Sequence, residues 1–231
     1  EPLKVGSQEE VNQCDLAIVC VPTNTTESGW LDVSIVEDVV SWLNTPLILI
    51  KSTLNPFTTE SLMLKYRKRI VFSPEYMGEG KYYTPPKYPD PENPISHGFL
   101  ILGGNLRDCG EIADIFVPKM GPATRVRIMP SLEAELVKLF ENTWGAVKVS
   151  LANELREICE ACGASWHLVR EGWIDDPRVE PMHTAVFPKK RGFSGKCFPK
   201  DIKGLQTFAQ SQNYEPLIVE AILKSNEKRV R

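Results

Sequence analysis

Three short apolar segments constrain the fold of this chain more than any other feature of its sequence. They occupy residues 15–21, 47–50 and 70–72, and segments with helical spacing of apolar residues, 33–43 and 58–69, fill the intervals between them. Short apolar segments that alternate with amphipathic helices are typical of strands buried on both faces of a parallel sheet. The order β-α-β-α-β therefore predicts a doubly wound α/β sheet, which binds ligands at the carboxyl ends of its strands.

A second feature is a long segment free of proline in a chain that contains 18 prolines. Residues 131–163 predict one helix, with Ser131 as its N-cap and Gly163 as its C-terminal stop. Such a helix is about 45 Å long, whereas helices in globular proteins average about 12 residues. A helix of this length crosses between domains or packs against a partner subunit. The apolar positions that indicate its buried seam include Leu136, Leu139, Phe140, Trp144, Val147 and Leu151.

The two features together predict an α/β fold with two domains. Residues 1–130 would form part of a doubly wound, Rossmann-like sheet, and residues 131–231 an all-α domain with one long helix. Further segments are predicted as strands (99–102 and 125–128), as helices (106–116, 165–171, 199–210 and 216–229) and as irregular loops (81–94, rich in proline, and 172–195).

Composition excludes several classes of protein. A net charge of −3 and the lack of a long basic segment argue against nucleic-acid binding. We expect no transmembrane span and no signal peptide, because the apolar segments are short and residues 1–10 are polar. Six cysteines in 231 residues do not predict a disulfide framework, so we expect a soluble protein of the reducing cytosol.

The segment 192–201 has the composition of a catalytic loop. It is Gly-Phe-Ser-Gly-Lys-Cys-Phe-Pro-Lys-Asp, with Cys197 placed just before a predicted helix and Asp201 four residues later. A helix N-terminus and a nearby lysine, Lys196 or Lys200, favour the thiolate form of a cysteine. A reactive thiol beside a carboxylate suits covalent catalysis with proton transfer. From spacing alone, a buried free cysteine at a helix start is an equally good interpretation.

The same segment closely resembles the motif G-x-G-G-x-C-x-x-K-D of the UDP-glucose/GDP-mannose dehydrogenase family. Four more segments resemble motifs of this family in the same order: 20–23 (Cys-Val-Pro-Thr), 51–53 (Lys-Ser-Thr), 73–80 (Ser-Pro-Glu-Tyr-Met-Gly-Glu-Gly) and 135–142 (Glu-Leu-Val-Lys-Leu-Phe-Glu-Asn). The ordered set carries the resemblance, since no single match is diagnostic.

The resemblance implies oxidation of the C6 alcohol of a nucleotide sugar to a carboxylate, with NAD as the hydride acceptor. Cys197 would attack the C6 aldehyde to give a thiohemiacetal and then a thioester. Lys138 would stabilise the oxyanion, and Asn142 would orient the substrate or a water molecule. The i, i+4 spacing of Lys138 and Asn142 places both on one helix face. Without the motif, both would be interpreted equally well as solvated helix positions.

Other residues carry roles by the same resemblance. Asp201, Thr53 and Glu75 would position and activate water, with Glu75 the candidate base for thioester hydrolysis. Glu79 would lie near the substrate or the cofactor. The alternatives are a helix N-cap for Thr53 and ordinary loop carboxylates for Glu75 and Glu79. The implied substrate-binding residues are Glu79, Phe193, Gly195 and Arg178, and the implied cofactor-binding residues are Pro22, Thr23, Thr53 and Glu79.

The chain departs from the family pattern at several points. Ser194 replaces a glycine, Lys196 stands where serine or histidine is frequent, and Gly78 where arginine is frequent. The segment between Arg178 and Cys197 is longer than in the family, which weakens the assignment of Arg178. The printed sequence contains neither the glycine-rich G-x-G-x-x-G turn that holds the cofactor pyrophosphate nor a C-terminal nucleotide-binding domain. We therefore expect a fragment or a reduced form of the family.

Three functional hypotheses remain open from the sequence. The first is the NAD-dependent dehydrogenase, which acts on a UDP-sugar or a GDP-sugar and forms a homodimer through the helix at 131–162. The second is a non-catalytic dimerisation or substrate-binding fragment with the same fold. The third is a metal or thiol-redox protein, based on the C-x-x-C pair Cys159 and Cys162. A single pair is weak evidence for zinc, and we predict no metal site.

Overall fold

The computed structural model describes residues 5–77, 90 and 92–230 of the 231-residue chain. Within these residues, five strands form one sheet in the order β1-β2-β3-β4-β5. The strands are β1 (Leu16–Val19), β2 (Leu47–Ile50), β3 (Ile70–Phe72), β4 (Phe99–Gly103) and β5 (Arg125–Met129). The first three are parallel, β4 runs antiparallel to β3, and β5 is parallel to β4. The α/β prediction is confirmed, and the sheet is mixed.

The described helices follow the predicted order. They are α1 (Gln8–Val11), α2 (Ser34–Trp42), α3 (Thr58–Tyr66), α4 (Leu106–Met120), α5 (Ser131–Cys162), α6 (Trp166–Ile174), α7 (Phe198–Ser211) and α8 (Leu217–Glu227), with a 3₁₀ turn at Pro94–His97. The short α1 was not predicted, and it begins with a capping box between Ser7 and Glu10. The predicted loop at 81–94 falls mostly outside the described residues.

Helices cover the sheet on both faces, as the doubly wound prediction requires. On one face, buried side chains of β1–β3 pack against α2, α3 and the start of α5, with Val36, Leu62 and Ala134 among the contacts. On the other face, side chains of β2–β4 pack against Cys109 and Ile112 of α4. Full burial of each aliphatic side chain contributes about 1.5–3 kcal/mol. Because successive side chains of a strand point to opposite faces, the sheet has one hydrophobic core on each face.

Strand β1 differs from its prediction as a strand buried on both faces. Ile18 is 49% exposed, whereas Ala17 and Val19 on the opposite face are buried. Ile18 lines a cavity that separates this part of the sheet from Ile115 of α4. The apolar sequence of β1 therefore predicted burial of both faces, but α4 does not cover the face that carries Ile18.

The long helix has nearly the predicted bounds. Ser131 is its first residue and Pro130 its N-cap, so the prediction of Ser131 as the cap was one residue off. Gly163 ends it at φ 76°, and the Ala164 N–H donates to the Cys159 carbonyl at 2.8 Å. The early turns of α5 pack on the sheet and its later turns contact α6, α7 and α8. Helix α5 thus connects the two halves, while the domain division after residue 130 stays a prediction.

The remaining boundaries shift by a few residues. Helix α6 is capped by Ser165 as predicted but continues to Ile174, and α4 continues through Pro118 to Met120. Pro216 precedes α8 as its N-cap rather than lying in its first turn. In the described part of the chain, every helix is too short or too polar to cross a lipid bilayer.

Candidate active site

Cys197 lies at the start of α7, as predicted. It is the N-cap residue, its side chain is half-buried, and its carbonyl accepts a hydrogen bond from the Asp201 backbone N–H at 3.0 Å. The thiol and the Asp201 carboxyl therefore belong to the first turn of one helix. The partial positive charge of a helix N-terminus favours an anion at this point.

The only interior glycine of α5 supports the position of Cys197. A Cβ atom at Gly145 would lie 2.6 Å from Cζ of Phe198, so a larger residue would displace that ring. Phe198 follows Cys197 directly and also contacts the ring of His183, with centroids 5.5 Å apart. The close approach of Phe198 to α5 fixes the distance between the thiol segment and this helix.

A buried polar network joins α7 to α5. Asp201 is fully buried; its Oδ2 accepts a hydrogen bond from Nδ2 of Asn142, and its Oδ1 pairs with Nζ of Lys200, each at 2.5 Å. Oδ1 of Asn142 accepts a hydrogen bond from Lys138 Nζ at 3.5 Å. Lys138 is 9% and Asn142 7% exposed, so the interpretation of both as solvated helix positions is wrong. A buried polar group needs such hydrogen-bond partners to offset the loss of its contacts with water.

The network continues to the end of β3 through an aromatic ring. Nζ of Lys138 lies 5.1 Å from the ring centroid of Tyr76, a cation–π distance. The neighbouring Glu75 pairs with Lys51 at 3.1 Å and accepts the backbone N–H groups of Tyr76 and Met77 at 2.8 and 2.9 Å. The carboxyl ends of β2 and β3 therefore meet the face of α5 that carries Lys138.

Glu75 is held in its charged form. Burial works to raise the pKa of its carboxyl, but the Lys51 ammonium and the two backbone N–H groups outweigh burial and lower the pKa below 4.5. An ionised carboxylate at neutral pH can accept a proton. Both of its oxygens are engaged in this arrangement, so it would have to exchange a partner to bind water.

Residues predicted to contact the cofactor lie where β1 and β2 end. Pro22 is exposed, Thr23 is buried and Thr53 is half-buried. The two strand ends are joined by Ser52, whose Oγ accepts from the Val21 N–H at 2.7 Å and donates to the Val21 carbonyl at 2.8 Å. Phe57, not Thr53, is the N-cap of α3, so the N-cap interpretation of Thr53 is wrong.

A cavity of about 460 Å³ opens beside these strand ends. Lys51, Glu75 and Tyr76 form its polar side, and Ile18, Ile101 and Phe116 are among the apolar residues of its wall. Its volume lies within the range of small-molecule sites, and its place is the one at which doubly wound sheets bind ligands. Tyr76 joins this cavity to Lys138.

The loop after β1 reaches across to α7. Leu31 is buried against Gly204, where a Cβ atom would lie 3.3 Å from Leu31 Cγ. Asn55, beyond β2, fixes Leu31 by accepting its N–H at 3.0 Å and donating to its carbonyl at 2.8 Å. Helix α7, which carries Cys197 and Asp201, is therefore packed against the sheet ends as well as against α5.

Glu135 is a buried functional candidate to which the sequence assigned no role. Its carboxylate accepts hydrogen bonds from the N–H of Phe57 (2.7 Å) and from the N–H and Oγ1 of Thr59 (2.8 and 2.6 Å). Burial raises its pKa to about 7 despite these donors. Glu135 thereby ties α5 to the start of α3, where Phe57 adopts φ 73°. The sequence signal that could have identified Glu135 is its position three residues before Lys138, in the segment 135–142 that resembles a family motif.

Three predicted substrate-binding residues, Arg178, Phe193 and Gly195, are not brought to this network by the described contacts. Arg178 is 88% exposed and pairs with Asp176 on the surface, so its contact with a substrate stays a prediction. Phe193 is 4% exposed, with its ring in the core between α5 and α7. Its substrate contact, and that of Gly195, stay predictions. Glu79 lies outside the described residues.

The metal hypothesis gains no support from the described residues. Among residues 5–77, 90 and 92–230, no group of three or more histidine, cysteine, aspartate or glutamate side chains comes together. Cys159 is buried near the end of α5, and the exposed Cys162 lies one turn away with its Sγ 3.4 Å from the Cys159 carbonyl oxygen.

Comparison with known proteins agrees with the geometry. Residues 132–228 match the model of the UDP-glucose/GDP-mannose dehydrogenase family, central domain. UDP-glucose 6-dehydrogenases of Rickettsia bellii and Pseudomonas aeruginosa are 29% and 27% identical over 99% and 96% of this chain, and over 53% and 50% of their own lengths. A UDP-glucose dehydrogenase structure from Pyrobaculum islandicum superposes with a TM-score of 0.83 at 26% identity, over 97% of this chain and 52% of that one. The chain spans about half the length of the curated relatives it matches.

Proposed function

We propose that the chain is a member of the UDP-glucose/GDP-mannose dehydrogenase family, whose central-domain model matches residues 132–228, and that it oxidises a nucleotide sugar at C6. The observation that carries the proposal is the buried contact of Asp201 with Asn142, one turn after Cys197. It joins the two motifs that the family reaction requires.

The proposed reaction removes four electrons in two steps. The C6 alcohol loses a hydride and a proton to give an aldehyde, and the Cys197 thiolate adds to the aldehyde carbon. The resulting thiohemiacetal loses a second hydride to become a thioester. Water then cleaves the C–S bond, which releases the carboxylate and returns the thiol. NAD, when bound, supplies the hydride acceptor for both oxidations.

Lys138 is proposed to stabilise the negative oxygen that forms when Cys197 adds. Lys138 is 9% exposed, and its ammonium is held between Oδ1 of Asn142 and the ring of Tyr76. A charge fixed in a water-poor site stabilises a developing oxyanion without reorganisation, and loss of one such group typically lowers kcat about 10²–10³-fold. Asn142 would hold both Lys138 and Asp201 in place.

Asp201, Thr53 and Glu75 are proposed to position and activate water for hydrolysis of the thioester. Glu75 is the candidate base, since Lys51 and two backbone N–H groups keep it ionised. Asp201 would act on the thiol side from the first turn of α7. Glu79 and the backbone at Phe193 and Gly195 are proposed to contact the sugar, and Arg178 a neighbouring subunit's substrate.

The residues present fit one part of an NAD site. Pro22, Thr23 and Thr53 lie just beyond the carboxyl ends of β1 and β2, and with Glu79 they are proposed to contact the cofactor. The printed sequence contains no G-x-G-x-x-G turn for the pyrophosphate. The second hypothesis from the sequence, a non-catalytic dimerisation or substrate-binding unit, is the alternative that an assay of NAD binding tests.

The proposed substrate is a nucleotide sugar, with UDP-glucose as the first candidate. The curated relatives named above are UDP-glucose 6-dehydrogenases. The segment 73–80 resembles the UDP-glucose and GDP-mannose branches more than the N-acetylhexosamine branch. We also propose a cytoplasmic location, because all six cysteines are free thiols, as a reducing compartment requires.

Helix α5 is proposed to form a homodimer. Of its predicted seam, Leu139 is buried within the chain, whereas Phe140, Trp144 and Leu151 are 56%, 62% and 45% exposed. Ile158 extends this exposed stripe, and the spacings of four and seven residues match the repeat of a helix–helix seam. Trp144→Glu should convert a dimer to a monomer in sedimentation equilibrium. A wild-type chain that sediments as a monomer would sink the dimer proposal.

The test of the main proposal is NADH formation from NAD and a panel of UDP- and GDP-sugars. We expect about two NADH per sugar oxidised, which is the stoichiometry of a four-electron reaction. Cys197→Ala should abolish carboxylate formation, while the matched variant Cys162→Ala, at an exposed thiol outside the network, should keep wild-type rates. If no sugar yields NADH, the non-catalytic candidate replaces the dehydrogenase for this chain.

A further inference from the structure

The loop that carries Cys197 is held by a side chain outside every motif described above. Asn226, on α8, accepts a hydrogen bond from the backbone N–H of Phe193 through Oδ1 at 2.7 Å. Its Nδ2 donates to the backbone carbonyl of Phe193 at 2.9 Å. One amide thus bonds both backbone groups of one residue, 33 positions away in sequence. A pair of bonds fixes the orientation of the main chain as well as its position.

The contact between Asn226 and Phe193 requires a glycine at position 192. A Cβ atom at Gly192 would lie 2.4 Å from Oδ1 of Asn226, and the residue has φ 72°. Both facts require glycine, since only glycine adopts this conformation without strain and leaves room for the amide. The first glycine of the 192–201 segment therefore serves Asn226.

The thiol lies between two fixed points. At one end, Phe193 is clamped by Asn226 and its ring packs against Ala146, Ile202 and Ile222. At the other end, Phe198 is pressed against Gly145 of α5. The intervening residues 194–197 have little conformational freedom left when both ends are fixed.

We infer that Asn226 is a positioning residue for Cys197. By fixing the main chain at Phe193, it sets where the thiol lies relative to Asp201 and Asn142. The inference rests on the proposed function for its catalytic meaning, because that function gives Cys197 its role. The hydrogen bonds themselves do not depend on it.

Other contacts hold α8 and the start of the loop in place without this amide. Arg229, three residues after Asn226, bonds Glu157 of α5 at 2.7 and 2.9 Å. Arg191 bonds Glu157 at 2.8 Å and Asn153 at 2.6 Å. Removal of the Asn226 amide should therefore leave α8 docked and release residues 193–197 selectively.

The experiment measures alkylation of Cys197 by iodoacetamide over a pH series, with each cysteine quantified by peptide mass spectrometry. In Asn226→Ala, the limiting rate at high pH should rise roughly threefold or more, because a released loop exposes the thiol. The midpoint of the rate–pH curve at Cys197 should also change, because a released loop moves the thiol away from the N-terminus of α7, whereas the alkylation rate of the exposed Cys14 should stay the same. Glu227→Gln, at the exposed neighbouring position, is the matched control and should behave as wild type.

Two further variants keep the test decisive. Asn226→Asp keeps the acceptor for the Phe193 N–H but loses the donor, so Cys197 should react at a rate between those of wild type and Asn226→Ala. This variant decides the outcome if Asn226→Ala does not fold. Gly192→Ala should also accelerate alkylation, and the double variant Gly192→Ala/Asn226→Ala should react no faster than the faster single variant. Such non-additivity is the mark of one shared contact.

Wild-type rates and pH midpoints at Cys197 in Asn226→Asp, or in a folded Asn226→Ala, would overturn the inference. The alkylation assay contains neither NAD nor sugar, so its result is independent of whether the chain proves to be a dehydrogenase. An inactive wild-type chain with the predicted alkylation pattern would refute the proposed function and leave the positioning contact standing.

Discussion

The sheet and the Cys197 segment are held in different ways. In the sheet, Ile48, Ile50 and Phe72 are fully buried among many apolar neighbours, and no single contact defines their position. Around Cys197, by contrast, a few directional contacts from distant parts of the chain determine the geometry: Asn142 contacts Asp201 and Lys138, and Asn226 contacts Phe193. Apolar packing is spread over many atoms and gives stability, whereas single hydrogen bonds give position. We therefore expect stability and activity to be lost through different residues.

The largest effect should follow truncation in the sheet core. Phe72→Ala removes a fully buried ring and should lower the free energy of unfolding by about 3–5 kcal/mol. Urea denaturation followed by far-UV circular dichroism measures this change. Leu64→Ala, at a side chain that is 73% exposed on α3, is the control and should cost less than about 0.5 kcal/mol. Equal losses in the two variants would contradict the burial pattern.

A smaller, pH-dependent effect should come from Glu135, which bridges the two regions. Its folded pKa of about 7 lies above the ordinary 4.5, so the folded state binds the proton more tightly. Its contribution to stability is therefore complete below pH 4.5 and is lost as pH rises to 7, by up to about 3 kcal/mol. Glu135→Gln should remove this slope from the unfolding free energy measured between pH 4.5 and 7.

Glu133→Gln on the exposed side of the same helix is the control for Glu135. Its unfolding free energy should follow the wild-type pH curve. A Glu135→Gln curve parallel to wild type would mean that the buried carboxyl stays ionised, held by its three hydrogen-bond donors, and that burial is the weaker influence.

Activity should separate from stability at Gly145. In Gly145→Ala the new methyl group displaces Phe198 and with it Cys197, so we expect turnover to fall at least tenfold, since small misplacements of reacting groups are costly. Overpacking costs about 1–3 kcal/mol, and the better helix propensity of alanine returns about 1 kcal/mol. NADH formation and urea unfolding on the same samples measure both effects. Gly110→Ala, in α4 with no atom near its Cβ position, should raise stability and keep full turnover.

The smallest effect should appear at Lys51, beside the cavity. Lys51→Met removes the ammonium that helps hold the pKa of Glu75 below 4.5, so that pKa should rise. A depressed carboxyl pKa stabilises the fold above pH 4.5 and loses this effect as pH falls through the folded pKa. Acid unfolding should therefore begin at a higher pH in the variant, with a change of about 1 kcal/mol or less, because the pair is partly solvated. An unchanged acid limb would assign the low pKa to the backbone N–H groups alone.

The sequence predicted those parts of the molecule that local pattern controls. The apolar segments at β2 and β3 and the proline-free α5 were identified because periodicity and chain breakers are local signals. The exposed Ile18 and the antiparallel β4 were not identified, since burial depends on what covers a strand and strand direction depends on the path of the connecting segment. The four or five residues of a strand contain no information on the exposure of its side chains or on its direction in the sheet.

The candidate site, too, was predicted only in part from the sequence. The segment 192–201 identified Cys197 and Asp201 as candidates, and their four-residue spacing predicted that they share one helical turn. The contacts of Glu135 with Thr59 and of Asn226 with Phe193 span 76 and 33 positions, and nothing in local sequence pairs them. Three-dimensional proximity was needed to see that these two side chains position the loops around the network.

Helix α5 has a mechanical consequence. Its 32 residues form one rod that carries Phe140 and Trp144 on its exposed side and Asn142 and Gly145 on its buried side. Side-chain atoms lie about 5–6 Å from a helix axis, so a rotation of about 10° moves them by about 1 Å. A partner that packed on the exposed stripe and rotated the helix by this amount would therefore change the angle at which Asn142 faces Asp201. A rotation of α5 caused by contacts on its exposed side would displace the side chains on its buried side.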